Sequence, residues 1–271
     1  MSLTDDQVLR EATLLDRSES TRTQIRQTTS EFPHATIEDA YRIQAAWKGI
    51  RLERGERLVG HKIGLTSKAM QASMQITTPD SGFLTDAMVF DASDGAVVIP
   101  AGDHLDPKIE VELAFVLSSD LDSPVVELAD VIAATDHVVP ALELIAARSY
   151  RTDPDTGRRR TVVDTIADNA ANAAIITGGR RVGVDEIDLR WVGALLERNG
   201  EIEESGLAAA VLNHPANGIV WLARRYAEHG MALRSGDIVL AGSFTRPVDV
   251  RPNDHFRVDY GSLGIIEVSF R

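Results

Sequence analysis

The sequence contains no cysteine. That excludes a disulfide framework, a thiol nucleophile and a thiolate metal site. Any bound metal must be held by oxygen or imidazole, and oxygen donors favour magnesium, manganese or calcium. No apolar run is long enough to span a membrane, so no membrane partner is expected. The opening residues, Met1 to Asp6, lack a basic segment followed by an apolar core. No signal peptide is expected, and a cytoplasmic protein is the default reading. Positive charge is scarce: 28 Lys and Arg stand against 41 Asp and Glu, for a net charge of −13. This excludes a general nucleic-acid binder, which needs a basic face. It also means that an anionic substrate is repelled at long range and needs local compensation from a metal or a few basic side chains. There is no Walker loop, dinucleotide glycine fingerprint, Gly-x-Ser-x-Gly elbow, zinc spacing or regular repeat.

What is present is an ordinary globular composition, 271 residues with 44% hydrophobic and 25% charged, enough for a substantial core. The most informative stretch runs from Pro107 to Leu117. Ile109, Val111, Leu113, Phe115 and Leu117 alternate, which predicts a strand with one apolar face. Glu110 and Glu112 share the other face, roughly 7 Å apart, with Ala114 and Val116 continuing it. Two readings of the pair stand side by side. Either these are solvated strand residues, or they are sheltered carboxylates whose repulsion needs a cation. A third acid, Glu143, lies in another strand-like run, Pro140 to Ile145.

Residues 1–57 read as mainly helical. Thr4 with Gln7 predicts a capping box for a helix reaching about Gln27, and Thr36 caps a second helix that Gly55 ends. Leu58 to Leu65 reads as a strand with Gly60, Lys62 and Gly64 on one face. The glycines flanking the lysine suit either an edge strand or close approach of a ligand. Asp80 falls in a turn-like stretch, residues 77–82, where an Asx-turn is its ordinary role. Phe83 to Phe90 and Ile238 to Thr245 read as strands. The polar segment 150–160 carries three consecutive arginines, Arg158 to Arg160, and reads as a solvated loop or a basic edge of an anionic site. Asp168 and Asn169 sit in a run of small residues and need partners if buried. Asn199-Gly200 between strand-like runs predicts a hairpin. The expected fold is one mixed α/β domain over residues 1–271, with a helical N-terminal part and a rolled, β-rich core from residue 58.

Gly60 to Gln71, Ile109 to Leu113, Ala141 to Ile145, Asp168 to Ala173 and Gly242 to Pro247 occur in an order that resembles the hydratase/decarboxylase branch of the fumarylacetoacetate hydrolase superfamily. The resemblance runs from about Arg22 to the C-terminus. Asn213 to Gly218, with Gly242 to Pro247, favours the subgroup that hydrates a seven-carbon 2-oxo-dioate in homoprotocatechuate breakdown. The resemblance implies Mg²⁺ or Mn²⁺ held by Glu110, Glu112 and Glu143, with Lys62 and Asp80 as catalytic groups and Ser243 and Thr245 at the substrate's carboxylate end. For a distal carboxylate, Lys68, Arg148 and the Arg158 to Arg160 cluster stay open. The implied partner is a small 2-oxo or 2-hydroxy dienoic acid. A homo-oligomer and association with a related decarboxylase are also implied. Monoacid hydration and decarboxylation are alternatives within the branch, and an inactive scaffold subunit is an alternative of another class. Two departures bear on this: Ala146 stands where the branch leads us to expect aspartate, and Ala167 where serine is expected.

Overall fold

The computed structural model describes residues 2–67, 71–72 and 76–271. The chain opens with helices α1 (Asp5–Thr21), the one-turn α2 (Thr28–Glu31) and α3 (Ile37–Glu53). Strands β1 (Leu58–Gly64), β2 (Asp80–Thr85), β3 (Val89–Asp91), β4 (Val97–Ile99) and β5 (Lys108–Leu117) follow. Then come α4 (Leu128–Ala134), β6 (Thr135–Ile145), α5 (Val162–Ala167), β7 (Asn172–Thr177), β8 (Gly193–Arg198), β9 (Glu201–Leu207) and α6 (Ala216–Glu228). The chain closes with β10 (Ile238–Leu240), β11 (Val248–Asp249), β12 (His255–Asp259) and β13 (Ile265–Phe270).

Local chemistry accounts for the ends of these elements. The expected capping box at Thr4 forms, and the expected cap at Thr36 is a capping box as well. The Thr4 hydroxyl accepts from the Gln7 amide and the Gln7 side chain accepts from the Thr4 amide, while Thr36 and Asp39 do the same for α3. The first helix stops at Thr21, earlier than expected, because Arg22 takes a left-handed φ of 55°. Asn199 and Gly200, with φ of 56° and 89°, make the β8–β9 hairpin. The expected strand over 83–90 breaks after Thr85, where the Asp86 carboxylate accepts from the Arg57 amide and guanidinium and a turn intervenes. The expected strand from Ile238 pairs only as far as Leu240, because Gly242 has a φ of 118° and turns the chain.

Two mixed sheets result. The larger runs β2-β1-β10-β5-β6-β7-β3, with β11 also on β5, and the smaller runs β4-β13-β12-β8-β9. Ile109, Val111, Leu113 and Phe115 pack with Phe256, Val258, Ile266 and Val268 in a core between the sheets, joined by Ile219 and Leu222 of α6. The other face of the large sheet presents Ala114, Val139, Ala141, Ile175 and Leu240 to Leu15, Ile43 and Trp47 of α1 and α3. The N-terminal helices therefore cover the same sheet face that carries Glu110 and Glu112.

Strand β2 is the edge of the large sheet, yet its free edge is not left open. The Ser81 amide donates to the Tyr41 hydroxyl at 3.2 Å, and the Ser81 carbonyl accepts from Gln44 at 2.8 Å. Two residues on, Asn169 accepts from the Phe83 amide at 2.8 Å and donates to its carbonyl at 3.0 Å. Side chains thus take the place of a ninth strand, which also protects the edge from wrong pairing. To reach this position Asn169, Ala170 and Ala171 adopt φ of 54°, 49° and 66° in succession, a strained run for residues with a Cβ. Replacing Asn169 by Ala leaves two buried backbone groups of β2 unpaired. It should lower unfolding stability by about 2–4 kcal/mol. Urea denaturation measures this, and a loss under about 0.5 kcal/mol would refute edge closure by Asn169.

Candidate active site

Strands β5 and β6 run antiparallel with Val111 opposite Leu142 and Phe115 opposite Val138, a register set by side chains that fill the core between the sheets. That register places Glu110 directly opposite Glu143. One oxygen each of Glu110, Glu112 and Glu143 can be chosen so that all three lie within 4.8 Å of one another. Like charges directly opposite in a sheet repel, so this face needs positive charge.

Part of it comes from Lys62, whose Nζ is 3.2 Å from Glu143 Oε1. Asn172 donates to the same oxygen at 2.7 Å, and the Gly242 amide donates to Glu112 Oε2 at 2.8 Å. Gly242 makes this contact from a left-handed backbone beside the Thr66 side chain, where a Cβ would lie 2.4 Å from Thr66. Asp80 starts β2 rather than sitting in a turn, and it is buried with Lys62. The glycines flanking Lys62 turn out to make room for protein. A Cβ at Gly60 would meet the Ile238 carbonyl at 1.9 Å, where β1 pairs with β10, and one at Gly64 would meet Asp80 Oδ1 at 2.3 Å and Lys62 Nζ at 3.0 Å.

The electrostatics show a site short of cations. Burial, then the neighbouring Glu143, pushes the Glu110 carboxyl up to about 8. Burial and the same neighbour hold Glu112 well above the usual carboxylate range. Burial also raises Asp80, against the pull of Lys62. For Lys62 itself burial works downward, but Glu143, Asp80 and the other two glutamates outweigh it and keep the ammonium above its ordinary pKa. Glu143 Oε2, Asp80 Oδ1 and Asn172 Oδ1 are buried without a hydrogen-bond partner. A hard cation, which binds carboxylate oxygens at about 2.0–2.6 Å, fits this donor set and relieves both the repulsion and the unpaired oxygen of Glu143.

Above the carboxylates lies a cleft of about 780 Å³. Lys62, Asp80, Glu110 and Glu112 line it, Glu143 is wholly buried, and residues Ser243 to Pro247 form one wall. Ser243 and Thr245 are both on that wall, and both also brace it. Ser243 donates to the Thr245 carbonyl at 2.9 Å, and the Thr245 hydroxyl accepts from the Val111 amide at 3.2 Å. Arg151, Arg160 and Lys108 line the cleft as well. Arg151 and Lys108 were not singled out from the sequence, and neither were Asn172 and Gly242. The signal for Asn172 was its place in the small-residue run after Asp168.

Arg148 is a correction. It does not line the cleft, and its guanidinium is spent on Asp168 and on the carbonyls of Asp168 and Asn172, so it is removed from the set of distal-carboxylate binders. It stacks on Trp47 at 5.0 Å, which makes it a tie between the sheet and α3. Lys68 lies outside the described residues. Ala146 and Ala167 are buried and neither lines the cleft; Ala167 packs in the core under the N-terminal helices.

Comparison with known proteins follows the same lines. The 2-oxo-hept-4-ene-1,7-dioate hydratase of Escherichia coli is 55% identical over 257 residues, covering 94% of this chain and 95% of that protein. The 2-keto-4-pentenoate hydratase of Paraburkholderia xenovorans is 37% identical, covering 88% of this chain and 86% of the other. The structure of 4-oxalocrotonate decarboxylase from Pseudomonas putida G7, complexed with magnesium and adipate, superposes with a TM-score of 0.93 at 36% identity over 99% of both chains. Residues 57–271 match the fumarylacetoacetate (FAA) hydrolase C-terminal family, and the chain belongs to that family.

Proposed function

We propose that this chain is a magnesium-dependent hydro-lyase of aromatic catabolism. It adds water to 2-oxo-heptenedioate, through the 2-hydroxy-2,4-dienoate tautomer, and yields 4-hydroxy-2-oxoheptanedioate. The observation that carries this reading is the convergence of Glu110, Glu112 and Glu143 beside Lys62 at the floor of a cleft, in a chain whose likeness to a dioate hydratase spans nearly its whole length. Decarboxylation is the second reading, favoured by the near-complete superposition on a decarboxylase. The scaffold reading loses its motive, since neither Ala146 nor Ala167 lines the cleft. On the same reading the protein is cytoplasmic and works as a homo-oligomer, alone or with a related decarboxylase, which sedimentation of the purified protein and of the mixture tests.

Glu110, Glu112 and Glu143 hold the metal, magnesium or manganese, which supplies Lewis acidity to the 2-oxo-acid end of the substrate. Ser243 and Thr245 orient the carboxylate at that end from the cleft wall. Lys62 moves the proton that the dienol must lose at the C2 oxygen and gain at C5 before water adds at C4. Neutralising the carboxylates removes what holds the Lys62 proton, and burial then works toward releasing it. Asp80, buried beside Lys62, orients that ammonium or the attacking water.

Three outcomes are expected. Incubation with 2-hydroxyhepta-2,4-dienedioate should bleach the dienol absorbance in the presence of Mg²⁺, without CO₂ release, and a chelator should stop it. Faster CO₂ release than hydration on a vinylogous keto acid would instead establish the decarboxylase. Glu110→Gln should abolish metal-dependent turnover and magnesium binding by calorimetry while the far-ultraviolet spectrum is kept; full activity in metal-limited buffer would refute the ligand assignment. Lys62→Ala should cut kcat by about 10²–10⁴-fold with far less change in magnesium Kd. Equal losses in both would give Lys62 a structural role.

A further inference from the structure

Five cations line the cleft among the described residues: Lys62, Lys108, Arg151, Arg160 and Arg246. Four are already engaged. Lys62 is 3.2 Å from Glu143, Lys108 2.6 Å from Asp249, Arg151 2.7 Å from Asp106 and Arg246 2.7 Å from Glu204. Arg160 is different. Its nearest carboxylate is Asp168 at 3.9 Å, and its Nη1 is buried without a hydrogen-bond partner.

The reason lies in Asp168. That carboxylate already accepts from the Arg148 amide, Arg148 Nε and the Ser149 amide, so its oxygens are taken before Arg160 arrives. The rest of the basic run does not share the condition. Arg158 donates to the Thr29 carbonyl and hydroxyl, and Arg159 is exposed. Arg160 is held in place from behind, since its amide donates to the Arg151 carbonyl and the next residue, Thr161, caps α5 through Asp164. The charged groups near enough to act on it are Arg151, Asp168, Arg148, Asp164 and Asp80. Burial, then Arg151, pulls its pKa down to about 10, so it stays charged at neutral pH, with Asp168 at 3.9 Å as its nearest counter-charge and no hydrogen bond to Nη1. A guanidinium buried beyond hydrogen-bond reach of its counter-ion is costly, and a carboxylate brought by a ligand offsets that cost through a two-pronged contact.

We propose that Arg160 is the specificity residue of the cleft, recognising the carboxylate at the far end of a dicarboxylic substrate and so selecting diacids over monoacids. The inference rests on the reading of the cleft as a 2-oxo-acid site. It adds which side chain reads the second charge. A monoacid leaves this guanidinium unpaired, so discrimination comes as much from the penalty against the wrong substrate as from attraction to the right one.

The test separates this inference from the reaction itself. Calorimetry on the magnesium-loaded protein compares adipate, a dicarboxylate, with hexanoate, its monoacid counterpart. The wild-type protein should bind adipate more tightly, and Arg160→Gln should shrink that ratio by about 10- to 100-fold. Arg160→Lys should restore part of it, since the charge returns without the fork. Arg159→Gln, made in an exposed neighbour that does not line the cleft, should change the ratio by less than about 3-fold. The ratio of kcat/KM for 2-hydroxyhepta-2,4-dienedioate over 2-hydroxypenta-2,4-dienoate should fall in parallel. No adipate preference in the wild type, or a preference that survives Arg160→Gln or collapses with Arg159→Gln, overturns the assignment. If neither dienoate is turned over while the adipate ratio behaves as stated, the proposed reaction fails and the role of Arg160 stands.

Discussion

Everything at the functional end of this molecule depends on the repulsion between carboxylates that a sheet register forces together. The apolar residues of β5 and β6 fix the pairing, because a slip by one residue would turn the whole inner face outward. Glu110 and Glu143 are carried to opposite positions as a by-product of that pairing. The chain does not relieve the conflict by exposing them. It buries Glu112 and Glu143, supplies one lysine and two neutral donors, and leaves an oxygen of Glu143 unpaired. The core between the sheets thus holds the acidic face in a state that a bound cation completes.

The sequence made some of this legible and hid the rest, for reasons that can be named. The period of two in residues 109–117 was enough to place Glu110 and Glu112 on one face, since side chains alternate in any strand. Nothing local told that Glu143 would lie opposite Glu110, because register between strands separated by a helix is set by tertiary packing. Family resemblance, carried by the ordered motifs, supplied that link. Asp80 read locally as a turn residue, yet Tyr41, Gln44 and Asn169 hold Ser81 and Phe83 in strand geometry from elements distant in sequence. The glycines around Lys62 signalled close approach correctly but not of what: the Ile238 carbonyl and the Asp80 carboxylate fill the space.

The arginines show the same limit from another side. Arg148, Arg151, Arg158 and Arg160 are equivalent as letters, and each is a reasonable anion binder in an acidic chain. Their fates separate only through their partners. Arg148 is consumed by Asp168, Arg158 by Thr29 and Arg151 by Asp106. The early commitment of Asp168 to Arg148 is what leaves Arg160 without a close partner. A buried ion pair that does no chemistry thereby decides which neighbouring cation is available to a ligand.

The matched family region begins at residue 57, yet α3, before it, is bonded to the edge strand that starts with Asp80. Tyr41 and Gln44, one helical turn apart, grip the amide and the carbonyl of Ser81, and Gln44 also holds the carbonyl of Ile166 in α5. The N-terminal helices are therefore a jig for the strand that carries Asp80 and not an appendage to it. A minimal fragment cut at the family boundary would keep every proposed metal ligand and lose the scaffold that aligns the acid beside the lysine. The family match stops short of these helices, although the relatives align across them as well.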